Sequence, residues 1–397
     1  MNTAEYLAEV ERYSAHNYHP LPIILSRGEG AWVWDIEDRK YLDCLAAYSA
    51  VNQGHRHPAI VAAVKEQLER LTLTSRAFHN DQMGPFLREL CELAGYEKAL
   101  PMNSGAEAVE TAIKAVRRWG YRCKGIPADQ AEIIVCENNF HGRTTTIVSF
   151  STEEAYRADF GPLTPGFRMI PYDDVAALEA AITPNTAAFM VEPLQGEGGV
   201  IVPKEGYLWE TAELCRQHDV LYVADEIQTG LGRTGQMFCC DWEGVKPDVL
   251  VVGKALSGGF YPVSAMLSSE DVMSVFHPGD HGSTFGGNPL GAAVARAALR
   301  VIVDEGLAER ARELGDWFMS ELRALDSPHV KEVRGRGLMI GVEIKRESGT
   351  ARPFCEALMD RGILAKETHE QVVRFAPPLV VERSDLEWAL GEIAEVL

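Results

Sequence analysis

A chain of 397 residues with 38 basic and 58 acidic side chains carries a formal charge of −20, and 46% of it is hydrophobic. That balance disfavours nucleic acid and anionic membrane as partners, supplies an ample core, and demands local arginines wherever a small anionic substrate binds. Eight cysteines without CxxC spacing suit neither a metal site nor a disulfide framework, and no run of 18 apolar residues or leader-like start occurs, so a reduced, cytoplasmic protein is expected.

Tyr6, Leu7, Val10 and Tyr13 stand at helical spacing and predict a short helix over residues 4–14, before the break at Pro20 and Pro22. Ala31–Asp35 and Lys40–Asp43, separated by a polar turn, read as a β-hairpin. Ile60, Val61, Val64, Leu68 and Leu71 predict an amphipathic helix from His57 to Leu73, and a second helix ends near Leu93. Asn103-Ser104-Gly105 then opens an alanine-rich helix from Ala106 to Trp119. The N–H groups of Gly105 and Ala106, with the Ser104 hydroxyl, suit a phosphate at the positive end of the helix dipole; they equally suit an ordinary serine cap.

Further on, strands are expected at Glu132–Cys136, Ala187–Glu192, Val220–Asp225, Val249–Gly253 and Val263–Leu267, alternating with helical patterns at 175–182 and 208–217. This is a wound α/β arrangement with a mostly parallel sheet. Helices over 289–303 and 307–325 lead away from it. Strands at 337–344 and 372–375, with helices at 352–361 and 384–396, form a smaller α+β unit.

Two of these strands end in chemistry. Val220–Asp225 delivers a carboxylate and Val249–Gly253 delivers Lys254, both at the carboxyl edge of the sheet, where α/β folds keep ligands. Taken singly, Asp225 reads as a helix cap and Lys254 as a surface lysine. Together they supply what pyridoxal phosphate (PLP) needs: an amine for its aldehyde, and an acid beside the pyridine nitrogen that keeps the ring an electron acceptor.

These strand ends, together with Asn103-Ser104-Gly105-Ala106-Glu107-Ala108, Asn139-Phe140-His141-Gly142-Arg143-Thr144, Val191-Glu192-Pro193 and Gly282-Ser283-Thr284-Phe285-Gly286-Gly287-Asn288-Pro289, resemble the class III (ω-amino acid) aminotransferases of PLP fold type I. The resemblance runs from about Tyr13 to the last helix. It implies a large PLP-binding domain over 46–290 and a small α+β domain over 291–397 that is joined by the arm and hairpin of residues 1–45.

The resemblance also implies roles. Lys254 is the lysine that holds PLP and shuttles the proton, Asp225 the partner of the ring nitrogen, Gln228 that of the phenolic oxygen, and Phe140 the residue stacked on the ring. Ser104, Gly105 and Ala106 bind the phosphate. Ser283 and Thr284 reach it from a second subunit, which makes the protein a homodimer with shared sites. Arg143 takes the distal carboxylate of ornithine or glutamate, and Glu197 masks Arg374. Tyr18 and Tyr48 resemble those of members that act on ornithine with 2-oxoglutarate, rather than on the alternatives acetylornithine or γ-aminobutyrate. His141 departs from the tryptophan expected at its position and reads as a satisfied histidine beside the site.

Overall fold

The computed structural model describes all 397 residues. The hairpin region contains β1 (Leu25–Glu29), β2 (Trp32–Asp35) and β3 (Lys40–Asp43), the first of which was not expected. The large unit holds β4 (Lys98–Met102), β5 (Glu132–Cys136), β6 (Phe167–Ile170), β7 (Thr186–Val191), β8 (Leu221–Asp225), β9 (Val249–Val252) and β10 (Ser264–Ser268) in one sheet of order β4-β10-β9-β8-β7-β5-β6. From β9 to β6 every neighbouring pair is parallel, and only β10 runs against its neighbours.

The two strands of this sheet that sequence reasoning did not find are its two edges. β4 contains Pro101, which lacks the N–H a central strand must donate, and an edge is where a sheet tolerates it. β6 has two exposed residues among its four and so lacks a continuous apolar run.

Alternation along the inner strands divides the core in two. Ile133, Val135, Ala188, Met190, Val223 and Val251 face the helix Gly105–Trp119, whereas Ile134, Phe189, Tyr222 and Leu250 join the opposite cluster. Burial on both faces is why β7, β8 and β9 read as unbroken apolar runs. Asp225 and the residues after Val252 therefore leave the sheet from fixed positions at one edge.

The C-terminal unit is built on an antiparallel sheet of β11 (Val330–Arg336), β12 (Met339–Ile344), β15 (Val372–Phe375) and β14 (Lys366–Thr368), in that order. The short strand β13 (Ile363–Leu364) instead pairs in parallel with β3 of the hairpin, placing Ile363 opposite Leu42. Arg352 binds the arm as well, donating to the carbonyls of His19 and Pro20 at 2.9 Å each. These contacts tie the first 45 residues to the C-terminal unit. The helix Pro289–Asp304 packs on the helices Pro58–Leu68 and Met83–Ala94, so the start of the 291–397 stretch is carried by the large unit.

The helix expected to reach Leu73 ends at Leu68. The chain turns there, Gln67 Nε2 donating to the Leu71 carbonyl at 2.7 Å, and Leu68 and Leu71 remain exposed. No helix is long and apolar enough to cross a membrane.

Candidate active site

Asp225 closes β8 in a buried position. Its Oδ1 accepts the Ile227 N–H at 3.1 Å, and its Oδ2 lies 2.6 Å from His141 Nδ1. Burial alone would lower the imidazole pKa; the hydrogen bond to Asp225 and the carboxylate charge outweigh it and hold it above the ordinary value. The raised pKa favours the protonated imidazole beside Asp225, and His141 Nε2 has no partner. The expected satisfied bystander is thus a half-satisfied histidine hydrogen-bonded to Asp225.

A third ionisable group stands beside this pair. Glu192 follows β7 and is buried, accepting from Phe140 N at 2.9 Å and from Gly196 N at 3.4 Å. Burial pushes its carboxyl up to about 7, with His141 pulling the value down and Asp225 raising it. Lys254 lies one residue beyond Gly253 at φ +41°, a left-handed conformation that a residue with a Cβ rarely adopts. Its amine makes no ion pair, and burial holds its pKa below the ordinary lysine value against the opposing charges of Glu197 and Asp225. An amine so placed is a better nucleophile and base near neutral pH than a solvated lysine.

On the small-unit side, Arg374 lies on β15, 1% exposed, and donates from Nη1 to Glu197 Oε1 at 2.6 Å. Its Nε and Nη2 have no partner, although a buried guanidinium ordinarily satisfies them. Burial would raise the Glu197 carboxyl, but Arg374 and then Lys254 keep it below the usual carboxylate range. The same Oε1 accepts from Gln228 Nε2 at 3.2 Å, and Thr368 Oγ1 donates to the Glu197 carbonyl at 2.7 Å. The Tyr48 ring lies 5.0 Å from the Arg374 guanidinium, carried by a turn in which Ala46, Ala47, Tyr48 and Ser49 all have positive φ.

Arg143 differs from Arg374 in burial and in pairing. It is exposed and forms no ion pair or hydrogen bond; three aromatic rings surround its guanidinium, Tyr156 at 4.1 Å, Phe140 at 5.7 Å and Tyr18 at 5.9 Å. These rings, with Arg143, Tyr48 and Glu197, line one cavity of about 1480 Å³. Arg143 is open in this cavity, whereas Arg374 is locked behind Glu197, which lines it.

The family described as Aminotransferase class-III matches residues 13–397 of this sequence. The chain is a class-III aminotransferase. It is 59% identical over 391 residues to a Brevibacillus brevis protein named ornithine aminotransferase, covering 98% of this chain and 97% of that one. The solved structure of the ornithine aminotransferase from Toxoplasma gondii superposes with a TM-score of 0.98 at 49% identity, covering 100% of this chain and 95% of that one. An acetylornithine aminotransferase from Elizabethkingia anophelis is also 49% identical, with a TM-score of 0.91 over 100% of this chain and 99% of that one.

Class-III aminotransferases depend on PLP, and this one has groups that fit it. The N–H groups of Gly105 and Ala106 open the helix Gly105–Trp119 without any protein acceptor, which is the arrangement that receives a phosphate. The Ser104 hydroxyl is already engaged: it accepts from Glu107 N at 3.2 Å in a capping box, the plain role that the sequence left open. Ser283 Oγ accepts from Asn103 Nδ2 of its own chain at 2.9 Å, while the following Thr284 is exposed.

Three residues of the candidate site were missed or undervalued. Glu192 ends an apolar strand as Asp225 does, and that shared pattern was a usable signal. His141 offered only its neighbours. Tyr156 lies on the short helix Glu154–Arg157 in a polar stretch, where nothing in the sequence singles it out.

Proposed function

We propose that the protein transfers the δ-amino group of L-ornithine to 2-oxoglutarate, yielding glutamate and glutamate 5-semialdehyde, which cyclises to pyrroline-5-carboxylate. The unequal state of two arginines carries this reading. Ornithine and glutamate both have an α-carboxylate, but ornithine must react at the far end of its chain and glutamate at the near end. Arg143, open in its aromatic surround, binds the carboxylate farther from the reacting amine in each case. Arg374, occupied by Glu197, ignores ornithine and accepts glutamate's second carboxylate once Glu197 gives way.

PLP, when bound, supplies an aldehyde that takes up the amino group and a ring that accepts the electrons left when a carbon–hydrogen bond breaks. Lys254 Nζ holds the cofactor and then takes up and returns the substrate proton, for which its lowered pKa suits it. Asp225, backed by His141, holds the proton on the ring nitrogen. Phe140 and Gln228 orient the ring, and the N–H groups of Gly105 and Ala106 bind the phosphate, beside the Ser104 cap. Ser283 and Thr284 complete that phosphate site in a homodimer, the exposed Thr284 facing the second copy.

The likeness to an acetylornithine aminotransferase supports a second reading. A substrate panel with 2-oxoglutarate decides between them. Ornithine is expected to give a cyclic product trapped by o-aminobenzaldehyde, with acetylornithine and γ-aminobutyrate far slower. Preference for acetylornithine would replace the proposal. Borohydride reduction followed by peptide mapping is expected to place the cofactor on Lys254, and a label on any other lysine would remove the assigned site.

A further inference from the structure

The open arginine is held by something the sequence did not reveal. Arg143 follows Gly142, whose φ of +129° lies outside the range that most side chains tolerate, and its exposed guanidinium, with five N–H donors, forms no ion pair or hydrogen bond within the protein. A long side chain with no polar anchor should wander among rotamers at considerable entropic cost to any ligand that must fix it. Here the guanidinium carbon is 4.1 Å from the Tyr156 ring centroid, far closer than to Phe140 at 5.7 Å or Tyr18 at 5.9 Å. Tyr156 is itself fixed, its ring meeting Phe140 edge-on at 6.0 Å and 77°.

We infer that Tyr156 is a positioning residue for substrate carboxylates: its ring face holds the Arg143 guanidinium flat, leaving the N–H edge of the fork directed at the distal carboxylate. A ring attracts a cation through its face and competes for none of the cation's hydrogen-bond donors. An acidic residue in the same place would hold Arg143 equally well but would occupy the fork, as Glu197 does for Arg374. Because Phe140 contacts both Tyr156 and the cavity, the Arg143 fork is also kept in register with the residue assigned to the cofactor ring. The inference rests on the proposed role of Arg143 and adds the element that makes that arginine selective.

Cation–π contacts of this kind correspond to about a 3- to 30-fold change in affinity. The holoenzyme's Kd for glutarate, an unreactive dicarboxylate, is measured by calorimetry in the parent protein and in Tyr156→Leu, Tyr156→Gln and Tyr156→Phe. Leu and Gln are expected to weaken glutarate within that range, whereas Phe, which keeps the ring face, stays within about 3-fold of the parent. In turnover, KM for ornithine and for glutamate should rise together with kcat nearly unchanged, while 1,4-diaminobutane, which has no carboxylate, should react equally slowly in all variants. Unchanged glutarate affinity in both Leu and Gln, or a loss in Phe equal to that in Leu, overturns the role. An equal loss with the diamine assigns Tyr156 to the fold alone. Absence of cyclic product from ornithine in the parent would instead count against the substrate reading, since glutarate binding tests Tyr156 independently.

Discussion

His141 Nδ1 and Asp225 Oδ2 lie 2.6 Å apart with both residues buried, a hydrogen-bonded pair placed where water does not screen it. The histidine's pKa is raised above 6.5 in the folded protein, so the stability it contributes is fully present below 6.5 and is lost as pH rises through the folded value. In urea unfolding between pH 6 and 9, the gap between the parent and His141→Gln should narrow steadily as pH rises. A gap independent of pH would mean that folding does not raise the imidazole's pKa.

Glu192 has a different window. Its carboxyl is raised from 4.5 to about 7, so the folded protein binds more protons than the unfolded chain between those values and stability falls as pH rises across them. The fall amounts to about 3 kcal/mol at most. Glu192→Gln should flatten the stability profile between pH 4.5 and 7, even if losing an acceptor for Phe140 N or Gly196 N lowers the whole curve. A parent and variant with parallel profiles would disprove the raised carboxyl.

Removing one partner of the Glu197–Arg374 pair leaves a buried cation whose Nε and Nη2 already lack partners. Such a break costs about 3–5 kcal/mol, but a dicarboxylate can take the place of Glu197. Glu197→Ala is therefore expected to melt lower than the parent, to recover much of the difference in saturating glutarate, and to divert part of the ornithine flux to the α-amine. The share of cyclic product measures the last effect. An unchanged share would show that regiospecificity does not depend on this pair.

Gly196 tests how closely the segment that carries Glu197 must approach Gln228. A Cβ at residue 196 would lie 1.7 Å from Gln228 Oε1 and 2.8 Å from Met339 Cε. Gln228 can swing away, so Gly196→Ala should cost only about 1–2 kcal/mol of stability, but the displaced amide would lose Glu197 and its assigned place on the cofactor ring. PLP affinity should fall by at least about tenfold, the equivalent of one hydrogen bond to a charged group. Retained affinity would separate Gln228 from the cofactor.

Much of this was legible because parallel strands announce themselves. β8 and β9 are apolar from end to end, so the polar residues that stop them, Asp225 and Lys254, stood out, and the sheet between them followed. The edges β4 and β6 were invisible because a proline or exposed positions interrupt their pattern. Arg143 and Arg374 could be found as lone cations in apolar or glycine-rich surroundings, but their different states could not. The Glu197 contact spans 177 residues of chain and the Tyr156 contact joins a loop to a short four-residue helix, and neither leaves a periodic trace in the sequence. His141 was misread for a similar reason: its partner Asp225 is 84 residues away, and only the fold brings them together.

The parallel pairing of β13 with β3 also bears on how the chain is made. Leu42 meets Ile363 across roughly 320 residues of intervening sequence, so the hairpin's outer edge has no native neighbour until nearly the whole polypeptide has been synthesised, about 16–64 s at ordinary elongation rates. During that interval β3 presents an open row of backbone donors and acceptors, with Tyr41 and Leu42, which are buried in the finished fold, exposed beside it. The large sheet has all its strands by Ser268 and can mature ahead of the arm. The N-terminal segment is thus the first part to be translated and among the last to find its place, and the nascent chain is most vulnerable to aggregation or to chaperone capture at its oldest end.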